Sequence, residues 1–209
     1  MLLTTEIRWF QLGDPPRSLT DWFYSEALGS VRPTSATRED CYLVLPHDTF
    51  LGVKFRQGNL EVKWRQAELG QIQLGETWTG QLERWLKWSY AEAADCQNSP
   101  LQAYLQSGGW VSVKKTRSQR IYQIQAEQVI PVEALPPGDR GCSLELTCLE
   151  ANHQRWWTVG FEAEGNPQQS LQALRLTLVW LSVTANLPPL EQLASYAYPY
   201  WLAQLGADA

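Results

Sequence analysis

The chain has 209 residues, of which 44% are hydrophobic, and a formal net charge of −5 at pH 7. A domain that binds nucleic acid mainly through phosphates is usually basic, so this balance disfavours a nucleic-acid partner. No stretch of about 18 uncharged apolar residues exists, so no membrane-spanning helix is predicted. Glu6 and Arg8 interrupt the first apolar run, unlike a signal peptide. Four cysteines without CxxC spacing are typical of free thiols in a reducing compartment, and we expect a cytoplasmic protein.

The first elements follow from alternating and helical spacing of apolar residues. Strands are predicted at Thr4–Gln11 and Thr37–Leu45. Between them, Ser18–Gly29 is predicted as a short helix, because its apolar residues lie near one stripe and a glycine ends it.

The segment Leu51–Gln66 has two alternating runs on either side of a Gln57-Gly58-Asn59 turn, which predicts a β-hairpin. One face is charged, with four cations and the acid Glu61; the cations are Lys54, Arg56, Lys63 and Arg65. The other face is apolar and carries Val53, Phe55, Val62 and Trp64. The charged face is either a solvated outer surface or an inner wall that grips a polyanion. In the second case we expect the apolar face to pack under helices or other core elements.

The middle of the chain is predicted to continue with strands. Leu82–Tyr90 alternates as a strand, and Pro100–Gln106 is predicted as a short helix. Trp110–Lys115 and Arg120–Gln125 are predicted as a strand pair joined by a turn at Thr116–Gln119. This pair carries a second basic cluster, formed by Lys114, Lys115, Arg117 and Arg120.

The end of the chain combines one more hairpin with helices. Cys142–Glu150 and Arg155–Glu164 form the predicted hairpin. Its polar face carries acids rather than bases, namely Glu145, Glu162 and Glu164. Helical spacing predicts a long helix at Pro167–Ala185 and a second helical stretch at Leu190–Leu202, broken at Pro199.

These elements predict a mostly β, α+β domain spanning residues 1–209. We expect a closed or strongly curved antiparallel β-barrel with flanking helices, and with the C-terminal helices (residues 167–205) packed on it. Closure would turn the charged strand faces toward one cavity. The predicted phosphate-binding residues are Lys54, Arg56, Lys63, Arg65, Lys114 and Arg120. The predicted ligands for Mg²⁺ or Mn²⁺ are Glu6, Glu145, Glu162 and Glu164.

Several short motifs follow one another in a distinctive order. They are Arg38-Glu39-Asp40-Cys41-Tyr42-Leu43, Lys54-Phe55-Arg56, Glu61-Val62-Lys63-Trp64-Arg65, the basic run Lys114–Arg120, and Glu162-Ala163-Glu164. This order resembles the CYTH superfamily, the triphosphate tunnel enzymes, over most of the chain. That family opens with a Glu-x-Glu-x-Lys strand. Here Glu6 is retained, but Arg8 stands where the second Glu is expected and Phe10 where the Lys is expected.

The resemblance implies a barrel that binds a triphosphate or another organic phosphate, with possible phosphohydrolase activity that depends on a divalent metal. The expected ligand is a phosphorylated small molecule or polyphosphate. Arg8 favours the alternative, a non-catalytic module of the same fold that binds a ligand or a partner. A lipocalin-like barrel for an apolar ligand is disfavoured, because the predicted inner wall is too charged.

Overall fold

The structure is a computed structural model that describes residues 1–75, 78–91, 109–188 and 193–207. The described residues form ten strands, three α-helices and a short 3₁₀ turn at Glu26–Leu28. The strands are β1 (Leu2–Leu12), β2 (Thr34–Leu43), β3 (Leu51–Arg56), β4 (Asn59–Leu74), β5 (Trp78–Ala91), β6 (Trp110–Gln125), β7 (Gln128–Val132), β8 (Gly141–Ala151), β9 (Gln154–Glu164) and β10 (Ala194–Ser195). The helices are α1 (Arg17–Tyr24), α2 (Pro167–Thr184) and α3 (Tyr198–Ala207).

Eight of the strands close into an antiparallel β-barrel, which confirms the predicted fold class. The order around the barrel is β1-β5-β4-β3-β2-β6-β8-β9, and β9 pairs with β1 to complete the circle. The short strands β7 and β10 pair with β6 and β1 outside this order. Closure removes the free edges of the sheet and encloses one side of every strand.

The pairing register fixes which side chains point inward. Arg8 on β1 lies opposite Gly160 on β9, and Gly160 in turn lies opposite Glu145 on β8. On the far side of the barrel, Tyr42 lies opposite Lys54, and Lys54 lies opposite Glu61. Because opposed residues share a face and faces alternate along a strand, these positions define an inner wall rich in charge.

Helix α2 covers the outside of β1, β8 and β9. Asn166 is the N-cap residue of this helix, and its side-chain oxygen accepts hydrogen bonds from the backbone N–H groups of Gln168 and Gln169. Its buried residues, including Leu174 and Leu178, join a core with the outward-facing apolar residues of the strands. Trp9, Leu144, Val159 and Phe161 are among those strand residues. No helix of the described residues is long and apolar enough to cross a membrane.

Helix α3 fills one end of the barrel. Its fully buried Trp201 and its neighbours Leu202 and Leu205 form a second core with inward-facing residues of four strands, β1, β2, β6 and β8. Those residues are Phe10, Tyr42, Val111, Val113, Leu149 and Ala151. The barrel is therefore closed at this end by apolar packing, and the charged part of the inner wall lies beyond it.

The predicted strand pair within residues 110–125 is wrong, because this segment is the single strand β6. Thr116–Gln119, the predicted turn, pairs with β2 on one side and β8 on the other. These four residues include no glycine, proline or asparagine, so nothing in them requires a turn. The real hairpin turn lies farther on, at Ala126 and Glu127, which both have positive φ.

The ends of the chain's helices also differ from expectation. The predicted helix at Ser18–Gly29 is α1 followed by the 3₁₀ turn, and the second C-terminal helix begins only at Tyr198. Pro199 does not break that helix, because proline is tolerated in a first helical turn. The predicted helix at Pro100–Gln106 lies outside the described residues.

The apolar face of the β3–β4 hairpin does not pack as expected. Val53, Phe55, Val62 and Trp64 are half-buried and belong to neither of the two cores, although we expected them beneath helices or other core elements. The charged face of the hairpin does point into the barrel.

Candidate functional site

The barrel encloses a cavity of about 430 Å³ between the inner wall and α3. Tyr198, Pro199 and Leu202 of α3 line its closed end. Glu164, which is exposed, lines the cavity elsewhere and marks its mouth. A cavity of this volume is within the range of small-molecule sites, about 300–1,000 Å³.

Positive charge exceeds negative charge along the lining, although the whole protein is acidic. Eight cationic side chains and five carboxylates line the cavity, against a net charge of −5 for the chain. The cations are Arg8, Arg38, Lys54, Arg56, Lys63, Lys87, Lys115 and Arg117. The carboxylates are Glu6, Glu61, Glu145, Glu162 and Glu164.

Asp40 is a fully buried carboxylate that three cations share. Its oxygens lie 3.4 Å from Arg38 Nε and 3.7 Å from both Lys54 Nζ and Lys115 Nζ. Burial alone would raise the pKa of Asp40, but Lys115 and Lys54 outweigh burial and hold that pKa below its usual value. Asp40 is therefore ionised and compensates only part of the positive charge around it.

Glu61 is a second carboxylate of the same kind. Its oxygens contact Lys54 Nζ at 3.0 Å, Lys87 Nζ at 3.2 Å and the guanidinium of Arg56. Lys54 and the other cations lower the pKa of Glu61 in spite of its burial. In this half of the cavity, five cations thus share the two carboxylates Asp40 and Glu61.

On the opposite wall, Glu145 receives two arginines. Arg8 Nη2 lies 2.8 Å from one carboxylate oxygen and Arg117 Nη1 lies 2.9 Å from the other. Burial would raise the pKa of Glu145, but Arg8 and Arg117 lower it to about 2. Arg8 and Glu145 are both nearly inaccessible to solvent, so this is a buried ion pair.

Lys63 connects this wall to the hairpin. Its Nζ lies 2.7 Å from Glu6 and 3.8 Å from Glu162. Burial would lower the pKa of Lys63, yet Glu162 and Glu6 raise it, which keeps the ammonium charged. The pKa of Glu6 is raised by burial and by Glu162, against the influence of Lys63.

Lys115 lies in an aromatic cage at the closed end. Its Nζ is 3.7 Å from the ring centroid of Tyr198 and 4.6 Å from that of Tyr42, and it donates a hydrogen bond to the Tyr42 hydroxyl. The two rings are parallel within 2°. Burial and the nearby Lys54 lower the pKa of Lys115 well below its usual value, whereas the ring faces favour the charged form.

Three of the six predicted phosphate-binding residues, Lys54, Arg56 and Lys63, line the cavity. Arg65 lies on the same strand face but outside the lining, since it binds Glu83 at 2.7 Å and Glu68 at 2.9 Å. Lys114 points outward, where it pairs with exposed Glu150 at 3.4 Å.

Arg120 also points away from the cavity and has a structural role. Its guanidinium donates hydrogen bonds to four backbone carbonyl oxygens, that of Phe23 in the last turn of α1 and those of Ser25, Gly29 and Val31 after the helix. Its predicted place in the cavity is therefore wrong. It holds the segment after α1 against the outside of β6.

The four predicted metal ligands all line the cavity, but each interior carboxylate already has a cation of this chain as partner. Glu145 binds Arg8 and Arg117, while Glu6 and Glu162 flank Lys63. Among the described residues, no group of three or more Asp, Glu, His or Cys is arranged to hold a metal ion. These side chains do not fit the divalent metal that the resemblance implies.

The sequence analysis missed several cavity residues as site residues. They are Arg8, Arg38, Asp40, Lys87, Lys115 and Arg117. The period-two signal was present for most of them: Arg38, Asp40 and Tyr42 alternate on β2, as do Lys115 and Arg117 on β6. The predicted turn at Thr116–Gln119 hid the second of these patterns.

The fold and the cavity together define a closed antiparallel β-barrel with a cation-rich interior. The three described cysteines, Cys41, Cys142 and Cys148, are free thiols. In comparisons with known proteins, no family model and no curated protein matches the chain.

Proposed function

We propose that the protein binds a polyanion, a phosphorylated small molecule or polyphosphate, inside the barrel. The excess of cations over carboxylates along the cavity, within a protein of net charge −5, is the observation that carries this proposal. On an exposed surface, solvent and salt would screen such an excess of positive charge, but inside a cavity the excess favours a bound anion.

The half of the cavity around Asp40 and Glu61 is the best place for the phosphates. Five cations there share two carboxylates, so donors remain for an incoming anion. Arg38 and Arg56 keep about a quarter of their side chains accessible, at 22% and 24%, so a ligand can reach their guanidinium groups. Charged hydrogen bonds of this kind are shorter and stronger than neutral ones.

The same observations favour binding over hydrolysis. The metal-dependent phosphohydrolase that the resemblance implies needs a metal to polarise the phosphoryl group and to orient water. The carboxylates that would hold it are engaged with Arg8, Arg117 and Lys63. We therefore propose a non-catalytic binding module. An assay of phosphate release from tripolyphosphate in Mg²⁺ or Mn²⁺ tests this, because a binding module is expected to release none and an enzyme would release phosphate.

The binding itself is tested by calorimetric titration with tripolyphosphate. Arg56→Ala removes a cavity donor, and the expected result is an affinity about tenfold to a hundredfold lower, the equivalent of one charged hydrogen bond. The control is Arg17→Ala, since Arg17 is 93% exposed and pairs with the exposed Asp21 on α1. Equal affinities of both variants and the wild type, or no binding by the wild type, would overturn the proposal.

A further inference from the structure

Arg8 is built into the barrel among carboxylates. Its side chain is 4% exposed, its Nη2 lies 2.8 Å from Glu145, and its Cζ lies 5.3 Å from the ring centroid of Tyr198. Burial would lower the pKa of Arg8, but Glu145 outweighs burial and raises it, so the guanidinium is permanently charged.

Gly160 provides the space that this guanidinium needs. The residue lies between Arg8 and Glu145 in the strand pairing, opposite both. A Cβ at this position would meet Arg8 Cζ at 3.0 Å and Ile7 O at 3.0 Å. The absence of a side chain on β9 thus allows Arg8 to cross the strand and reach Glu145.

Lys63 is a second internal cation with a similar role. Its ammonium lies between Glu6 and Glu162, 2.7 Å from the first and 3.8 Å from the second. The positive charge that a divalent ion would bring to these carboxylates is already supplied by the chain at Glu145 and at the Glu6–Glu162 pair.

We propose that the cavity binds its polyanion without a divalent metal, because Arg8 and Lys63 take the place of the ion at Glu6, Glu145 and Glu162. This inference rests on the proposed function. A metal could enter only by displacing a buried cation from its carboxylate, which would leave an uncompensated charge in the interior. Arg8 would also repel an approaching divalent ion across a short distance.

The experiment is a titration of the full chain with tripolyphosphate in two buffers, one with EDTA and one with Mg²⁺. The expected result is binding in EDTA at least as tight as in Mg²⁺, because Mg²⁺ competes for free tripolyphosphate. Binding that requires Mg²⁺, or that is tenfold or more tighter with it, would overturn this inference alone. Absence of binding in both buffers would overturn the proposed function and this inference with it.

A second measurement needs no anion. Free Mn²⁺ is followed by electron paramagnetic resonance as protein is added, and the wild type is expected to leave its signal unchanged. A loss of the free Mn²⁺ signal in proportion to the wild-type protein added would show that the protein binds the metal, and would overturn the inference.

Arg8→Gln tests the internal cation directly. The variant is expected to lose at least tenfold in tripolyphosphate affinity in EDTA and to recover part of that loss in Mg²⁺. The control is Arg155→Gln, which breaks an exposed pair with Asp14 and is expected to leave both affinities unchanged. An Arg8→Gln affinity equal to that of the wild type in EDTA would overturn the inference.

Discussion

Glu145 shows at the level of one residue how the cavity balances charge. It is buried with Arg8 and also binds Arg117, so two guanidinium groups share one carboxylate. A buried ion pair adds little net stability, since desolvation offsets the attraction, but removing one partner leaves a buried charge without compensation. The cost of a substitution at Glu145 therefore measures how much Arg8 depends on it.

Glu145→Gln is expected to lower the free energy of unfolding by about 3–5 kcal/mol, because Arg8 loses its buried partner. The measurement is equilibrium unfolding in urea. Glu150→Gln is the matched control on the same strand, since Glu150 pairs with Lys114 in solvent and should cost about 1 kcal/mol or less. Equal losses in the two variants would contradict a buried pair.

Lys115 is a second residue whose environment sets a measurable property. Burial and Lys54 lower its pKa in the folded protein, whereas the unfolded chain keeps a value near 10.5. The unfolded state therefore binds the proton more tightly. In the window between the lowered pKa and 10.5, the stability of the empty protein rises with pH.

Replacing Lys115 by Met should therefore stabilise the empty protein at neutral pH, and the gain should shrink as pH approaches 10.5. Thermal unfolding at a series of pH values measures the effect. Lys114→Met, at the outward-facing neighbour on β6, should show no such pH-dependent gain. A destabilised Lys115→Met variant at neutral pH would show that the tyrosine cage outweighs burial.

At the scale of one element, α3 determines the depth of the cavity. Trp201 has no exposed surface and stacks on Phe10 with ring centroids 5.6 Å apart, while Trp156 meets its edge at 6.2 Å. Such packing anchors the helix in the barrel end. Tyr198 and Pro199, which line the cavity, keep their places only while this anchor holds.

Trp201→Ala should cost about 3–5 kcal/mol of unfolding free energy, because it leaves a large void in this core. It should also weaken tripolyphosphate binding, since Tyr198 loses its support. Tyr200→Ala on the same helix is the control: Tyr200 is 42% exposed, and about 1 kcal/mol or less is expected. A similar cost for both substitutions in denaturant unfolding would argue against a packed α3.

At the scale of the whole molecule, the carboxylates of the inner wall make the free energy of unfolding depend on pH in the acid range. Asp40, Glu61 and Glu145 all have pKa values below their usual ones, Glu145 at about 2. A carboxyl group with a lowered folded-state pKa stabilises the protein above its unfolded pKa, and this contribution is lost as pH falls through the folded value.

The melting temperature is accordingly expected to fall as pH decreases from about 5 toward 2, the window that these shifts define. Glu6 has a raised pKa and opposes this trend in part. Differential scanning calorimetry across the window measures the slope. Asp40→Asn should reduce the slope, because it removes one of the three groups that take up protons, and an unchanged slope would contradict the role of Asp40.

Strand periodicity predicted the barrel and placed Lys54, Arg56 and Lys63 on one strand face, because charge and apolar character stay on fixed faces through the hairpin. Periodicity alone left open whether that face was an outer surface or the inner wall, and closure of the barrel turns it inward. On β6 the faces exchange character midway. Val113 points inward where α3 fills the barrel, and farther along the strand Tyr122 points outward under the helical cover. The position where the apolar residues change from one face to the other depends on tertiary packing, so alternation in the sequence cannot locate it. The single strand β6 was therefore predicted as two strands.

The ion pairs of the cavity were harder to predict from the sequence than the residues that form its inner wall. That Arg8 crosses β9 to Glu145 depends on the register that puts Gly160 between them, and these residues are far apart in the chain. The turn at Ala126 and Glu127 was equally hidden, since neither residue is typical of positive φ.

Because the apolar packing of α3 closes one end of the barrel, the cavity opens to solvent at the other end and is not a through-going tunnel. Under the proposed function, a linear polyphosphate cannot pass through the closed end, so the cavity would hold a terminus of the chain while the remainder stays in solvent. The amount of protein bound at saturation would then depend on the number of chain ends rather than on the number of phosphate units. Two polyphosphate preparations of equal total phosphate would bind the protein in proportion to their number of molecules.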